Sequence, residues 1–123
     1  MATGKGNTLL EISDAVAPAK AVKRLLEKDV QKQCVDWARA QGFWVRKFSS
    51  MTQRSVPDYL FSRVGWPMFA IEFKAPGKVP TPAQIDEIEM MRRHGWYVQV
   101  CDDFEMFKAF ALALRDRRNA DTR

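Results

Sequence analysis

The sequence predicts an α/β protein in which helices pack on one mixed β-sheet, in the order α-β-β-β-α-β-α. Three segments have apolar residues at helical spacing, and four short segments rich in aromatic and β-branched residues lie between them. With 123 residues, of which 46% are hydrophobic, the chain is long enough for one core and too short for two. Strands and helices that alternate in this way form the layers of a single domain.

Both ends of the chain are predicted to lie outside that domain. Residues 1–20 are rich in Ala and Lys, weakly patterned and interrupted by Pro18, which predicts a flexible arm. Residues 116–123 are polar and are predicted to fray as a tail. The folded domain is therefore assigned to residues 21–115.

The domain is predicted to open with a helix and a strand. The helix runs from about Val22 to Gln41, and Gly42 is a residue type that commonly ends helices. Its predicted buried stripe is Leu26, Val30, Cys34, Trp37 and Ala38. The segment FWVRKF then predicts a strand, and the polar segment SSMTQRSV predicts a loop.

The segment PDYLFSRVGWPMFAIEFKAPGKV predicts a hairpin of two antiparallel strands folded about Gly65. Asp58 and Glu72 are each seven residues from this glycine, so the hairpin pairs them across the ladder. Trp66, at the tip, is predicted to be exposed. Side chains alternate between the faces of a strand, so the predicted buried face is Tyr59, Phe61, Phe69, Ile71 and Phe73.

The pairing of Asp58 with Glu72 requires a physical explanation. Directly opposed residues have Cβ atoms about 5 Å apart, a separation at which two carboxylates repel and destabilise the sheet. A divalent cation would compensate this repulsion, and Lys74 lies on the same face as Glu72 and adds positive charge. The alternative is that both acids are solvated on an exposed face, and the register leaves both interpretations open.

The last two helices are each predicted to begin at a capping box. In TPAQ, Thr81 is the N-cap, a proline occupies the first turn and Gln84 is the third residue. The strand WYVQVC follows that helix, and the last helix, DDFEMFKAFALALR, has Asp102 and Glu105 as its capping box. The predicted buried residues of the two helices are Ile85, Ile88 and Met91, and Phe104, Phe107, Ala111 and Leu114.

Composition restricts the partner and the compartment. A net charge of +5 and a pI of about 9.5 favour a polyanionic partner. No apolar run approaches the roughly 20 residues that span a membrane, and the N-terminus lacks a hydrophobic signal core, so a soluble cytoplasmic protein is expected. Cys34 and Cys101 have no metal-knuckle spacing and are predicted to be buried thiols.

The order of these motifs resembles the PD-(D/E)xK nuclease superfamily. The matching residues are the PD pair at Pro57 and Asp58 and the EFK triplet from Glu72 to Lys74, with Gln84 opening the next helix. The segments VPDYLF, IEFKAPGKVPTPAQ and HGWYVQVCDD resemble, more narrowly, the VRR-NUC family of virus-type replication and repair nucleases. The resemblance spans about Glu27 to Asp103 and implies a restriction-endonuclease-like core. The loop SSMTQRSV departs from the family because it contains no glycine.

The resemblance implies a metal-dependent nuclease that hydrolyses phosphodiester bonds. Mg²⁺, or Mn²⁺ in its place, would be held by Asp58, Glu72 and the main-chain carbonyl of Phe73, because hard cations prefer oxygen ligands. Lys74 would orient the attacking water or stabilise developing charge. The implied catalytic residues are Glu27, Asp58, Glu72, Lys74 and Gln84.

Two of these assignments have structural alternatives. Glu27 can simply pair with Lys23 or Gln31 and favour the helix dipole. Gln84 can close a capping box without any catalytic purpose.

Basic and polar residues flank the predicted site and are expected to contact DNA phosphates: Arg46, Lys47, Ser49, Ser50, Arg54 and Lys78. Small family members resemble resolvases, so the expected substrate is branched DNA, in particular a four-way (Holliday) junction, with a role in DNA repair. A homodimer is expected, because two-fold symmetry matches the two cuts that a junction needs. The alternative is a basic DNA-binding or assembly module that keeps the nuclease fold without turnover.

Overall fold

The computed structural model describes residues 19–49, 52 and 55–121. These residues form α1 (Ala19–Ala40), β1 (Trp44–Lys47), β2 (Tyr59–Ser62), β3 (Phe69–Phe73), α2 (Pro82–Arg93), β4 (Tyr97–Cys101) and α3 (Phe104–Asp121). The predicted α/β class and element order are confirmed. Residues 1–18 of the predicted arm and the predicted DNA contacts Ser50 and Arg54 lie outside the described residues.

The sheet has the strand order β1-β2-β3-β4. β2 is antiparallel to both β1 and β3, whereas β3 and β4 run parallel. Gly65 has a φ of 88°, a conformation that favours glycine, and it lies at the centre of the β2–β3 turn. The predicted hairpin register is confirmed by the observed pairs, which are Tyr59 with Ile71, Leu60 with Ala70 and Phe61 with Phe69.

The larger core lies between the sheet and the two helices α1 and α3. The predicted apolar face of the hairpin points into it, and the rings of Phe61 and Phe69 stack with centroids 5.0 Å apart. Phe107 of α3 packs against the Phe61 ring at 5.1 Å. This face confirms the period-two pattern of the two strands.

The second face of the sheet is covered by α2. Ala70, Ile88 and Val98 form a smaller buried cluster there, although Ile85 is exposed contrary to the sequence prediction. The N-cap and capping box of α2 are formed by Thr81 and Gln84, as predicted. Because α2 crosses this face, a residue of β3 on either side of the strand can be buried, and all five residues of β3 are.

Two predictions about the last helix are wrong. The helix continues past Arg115 to Asp121, since residues 116–121 contain neither Gly nor Pro to end it. Its N-cap is Asp103, whose side chain accepts a hydrogen bond from the Met106 N–H at 3.0 Å. Asp102 does not cap the helix and accepts instead from the Gly77 N–H at 3.0 Å.

Trp66 is also placed differently from the sequence prediction. Its ring is partly buried and packs against Phe43, with centroids 5.0 Å apart and an edge-to-face angle of 74°. The guanidinium groups of Arg63 and Arg115 lie over it. The Trp66 side chain therefore folds back onto the core.

The prediction for the two cysteines is confirmed, because Cys34 and Cys101 are both free and buried. Burial is the main reason that the pKa of each thiol is raised to about 12. Both are therefore neutral and poorly reactive near pH 7. Within the described ranges, no helix is long and apolar enough to cross a membrane.

Candidate active site

The predicted site residues meet at one end of the sheet. Asp58 directly precedes β2 and Glu72 lies near the end of β3, so antiparallel pairing brings them to the same edge. One step beyond the observed ladder, the register sets these two residues opposite each other. The Phe48 N–H donates a hydrogen bond to the Asp58 carbonyl, which extends the β1–β2 ladder to this residue and holds its backbone.

Glu72 is the centre of the site. It is only 5% exposed, the one charged residue that is buried among those whose side chains the structure describes. The Lys74 Nζ lies 3.9 Å from Glu72 Oε2, and the Gln84 Nε2 donates to the same oxygen at 3.4 Å. The alternative of an exposed, solvated face is therefore wrong for Glu72, because α2 covers it.

The charge of Glu72 is costly in this environment. The pKa of its carboxyl is raised from 4.5 to about 7, chiefly by burial and then by the Asp58 carboxylate. Lys74 lowers this pKa and Glu27 raises it. The structure thus brings the other three charged residues of the predicted site within electrostatic range of Glu72. A single ammonium group at 3.9 Å does not offset burial and two neighbouring acids.

Gln84 performs two tasks with the two ends of its amide. Its Oε1 accepts from the Thr81 N–H at 2.9 Å and closes the capping box, while its Nε2 faces Glu72. The capping and site interpretations are therefore compatible, since each uses a different atom. The capping box fixes the side chain in the orientation that directs its N–H₂ at the carboxylate.

The contact between Gln84 and Glu72 predicts the effect of one substitution. If Gln84 served only to cap α2, Gln84→Glu would leave stability unchanged, because glutamate also closes a capping box. The structure predicts a loss of about 1 to 3 kcal/mol above pH 7 in chelator, because a donor is replaced by a second carboxylate beside a buried one. Thermal unfolding measures this.

The matched control for that substitution is Gln33→Glu, which adds the same charge at an exposed position of α1. The stability loss of Gln84→Glu should shrink below pH 7, where Glu72 gains a proton. Equal stability of the two variants above pH 7 would show that Gln84 is only a helix cap.

The donor set at the site suits a hard divalent cation. Asp58, Glu72 and the Phe73 carbonyl would supply only oxygen ligands. The carboxylate of Glu72 is buried, and the two acids that act on it outnumber the one lysine. No three His, Cys, Asp or Glu side chains converge as metal ligands in the part of the chain described. Mg²⁺ does not need three, because it commonly binds through one or two carboxylates and fills its shell with water and phosphate.

Four of the predicted DNA contacts lie among the described residues, and all four are exposed. Arg46, Lys47 and Ser49 are exposed on or after β1, and Lys78 is exposed in the loop after β3. The Arg46 guanidinium lies 4.7 Å from the centroid of the Trp44 ring. The loop of Lys78 is tied to the end of β4 by the bond between Gly77 and Asp102, a contact that the sequence interpretation missed.

These features define a class of protein. A mixed sheet with opposed acids and a lysine two residues after the second acid is the core of a restriction-endonuclease-like nuclease. No family sequence model matches the chain.

Two known proteins narrow the class. Putative nuclease p44 of Acyrthosiphon pisum secondary endosymbiont phage 1 is 34% identical over 84 residues, which cover 68% of this chain and 90% of that protein. A solved VRR_NUC domain is 30% identical, with a TM-score of 0.62 over 68% of this chain and 90% of its own. The chain belongs to the VRR-NUC family of nucleases.

Proposed function

We propose that the protein is a metal-dependent endonuclease that hydrolyses phosphodiester bonds in branched DNA, with the four-way junction as its preferred substrate. The main supporting observation is the buried carboxylate of Glu72, which faces Asp58 and has Lys74 and Gln84 on one oxygen. Such a cluster costs folding free energy and is expected where a cation and a phosphate are to be bound. The site of action would be the cytoplasm of a bacterial cell, and p44 is a phage protein.

The proposed cofactor is Mg²⁺ or Mn²⁺, held by Asp58, Glu72 and the carbonyl of Phe73. A cation bound there would make a water nucleophilic at neutral pH and stabilise charge on the phosphate. Because the pKa of Glu72 is raised to about 7 without it, a positive charge at this position would favour the ionised carboxylate.

The remaining residues have distinct proposed roles. Lys74 is 16% exposed at its side chain, so its ammonium can reach both Glu72 and a phosphate at the mouth of the site. It would orient the attacking water and stabilise the negative charge that develops on the phosphoryl oxygens. Gln84 would hold one oxygen of Glu72 in place. Glu27 would supply negative charge from α1 to the same cluster.

The junction preference and a homodimer are proposed together. A four-way junction has two-fold symmetry and must be cut twice to be resolved. A C2 dimer with one active site in each subunit matches that symmetry. The net charge of +5 is consistent with a polyanion as substrate but does not itself select its shape.

A cleavage assay on labelled DNA tests the function. Four-way junction, flap and linear duplex with the same arm sequences are incubated with Mg²⁺, Mn²⁺ or chelator. Paired, symmetric nicks in the junction are expected with either metal, and none in chelator. Molecular mass in solution, with and without junction, tests the dimer.

Two outcomes would contradict the proposal. Cleavage that is equal on junction and duplex would leave a nuclease without the proposed preference. Binding to junction DNA without cleavage in either metal, by protein whose fold is confirmed, would favour the alternative of a basic DNA-binding module.

A further inference from the structure

A basic groove lies between α1 and β1, the strand that forms one edge of the sheet. Its volume is about 440 Å³. The charged side chains that line it come from two elements, with Lys28, Lys32, Asp36 and Arg39 on α1 and Lys47 on β1. The three basic residues of α1 lie at intervals of four and seven, so they share one face of the helix.

The groove has an excess of positive charge. Lys32 is paired with Asp36 at 2.7 Å, an exposed pair that contributes little to stability. Lys28, Arg39 and Lys47 have no ion-pair partner among the residues that the structure describes. Three cations thus face the groove without a compensating acid.

Two residues of the groove are next in sequence to residues of the candidate active site. Lys28 directly follows Glu27, and Tyr59, which also lines the groove, directly follows Asp58. Lys47 is the ladder partner of Tyr59. The Tyr59 ring packs edge-to-face on the Phe73 ring, at 5.3 Å between centroids. Phe73, whose carbonyl is a proposed metal ligand, therefore contacts the wall of the groove.

The length of the groove suits a nucleic-acid backbone. From Lys28 to Arg39 the helix rises about 16 Å, at about 1.5 Å per residue. Measured along the axis of duplex DNA, that distance spans roughly five phosphates of one strand, and it spans fewer when measured along the strand itself. A small anion would fill only a fraction of such a row of cations.

We propose that this groove binds the sugar-phosphate backbone of one DNA strand as it leaves the active site. The direction of the strand, away from the active site, rests on the proposed function. The binding itself does not require cleavage. The contacts are to phosphate and therefore position the strand without reading its sequence. None of the α1 cations belongs to the set of DNA contacts that the sequence predicted.

Equilibrium binding to labelled junction and duplex DNA in chelator provides the first test. The groove variant is Lys28→Gln with Arg39→Gln in the full chain. The control is Arg93→Gln with Arg118→Gln, which removes two exposed charges from α2 and α3. On duplex DNA, the slope of log K against log salt should fall by about 0.9 for each lost contact, and so by about 1.8 in the groove variant.

The two variants have the same net charge, so overall attraction changes equally in both. A clearly smaller slope and weaker binding for the groove variant are expected. Equal slopes and equal affinities would overturn the groove proposal.

Site-specific crosslinking provides a second test that does not depend on affinity. Gln31→Cys sets a thiol in the groove, whereas Gln33→Cys sets one about 200° around the helix and outside the groove. Each is labelled with a photo-crosslinker near pH 7, where the two native thiols are buried and have pKa values raised to about 12. Crosslinks to DNA are expected from position 31 and not from position 33, and equal yields would overturn the proposal.

The design separates this proposal from the proposed nuclease activity. If wild-type protein fails to cut DNA but the groove variant still loses binding, the groove stands and the activity does not. If wild-type protein cuts but the groove and control variants bind alike, the activity stands and the groove does not.

Discussion

Glu72→Gln is expected to abolish DNA cleavage while the fold remains intact. The substitution keeps the shape of the side chain and an oxygen that can accept from Gln84 Nε2, but it removes the charge that would bind the cation. Loss of a single group that stabilises transition-state charge costs about 10² to 10³-fold in rate, and loss of a metal ligand should cost at least as much. Cleavage of junction DNA with saturating Mg²⁺ measures the effect.

The control is Glu89→Gln, which removes the same charge from an exposed position on α2. This variant should cut at the wild-type rate. Asp58→Asn should behave like Glu72→Gln, because Asp58 is the proposed second ligand. A Glu72→Gln variant that cuts normally would show that the chemistry is performed elsewhere.

The second prediction concerns stability in metal-free buffer. Glu72→Gln should stabilise the folded protein there, although it should abolish cleavage. Folding raises the pKa of Glu72 from 4.5 to about 7, chiefly by burial and then by the Asp58 charge. The folded state therefore binds a proton more tightly than the unfolded state, and stability should fall as pH rises from 4.5 to about 7. The difference between these pKa values corresponds to roughly 3 kcal/mol.

Glu72→Gln should remove this dependence. Its free energy of unfolding should match that of wild type near pH 4.5 and exceed it by about 3 kcal/mol above pH 7. Urea unfolding in chelator across this pH range measures both proteins. Added Mg²⁺ should stabilise wild type and leave Glu72→Gln nearly unchanged.

The control for the pH prediction is Asp58→Asn, which removes the second cause of the raised pKa but not the first. It should reduce the pH dependence without abolishing it. Parallel curves for wild type and Glu72→Gln between pH 4.5 and 7 would show that the ionisation of Glu72 does not limit stability.

Local patterns in the sequence predicted much of the fold. The distance of Asp58 and Glu72 from Gly65 predicted the hairpin register, because side-chain alternation and a glycine turn are local properties of two adjacent strands. The TPAQ segment predicted the start of α2, because a capping box is also a local property of a few adjacent residues. Where two cap candidates were adjacent, Asp102 and Asp103, the local pattern selected the wrong one.

The sequence alone thus determined the element order, the register and the pairing of the two acids. Only the tertiary structure decided that Glu72 is buried, because α2 crosses its face from a later part of the chain. The approach of Glu27, the double use of Gln84 and the groove between α1 and β1 likewise depend on how separate elements pack. Periodicity assigns residues to faces, whereas burial and charge coupling arise between elements that are distant in sequence.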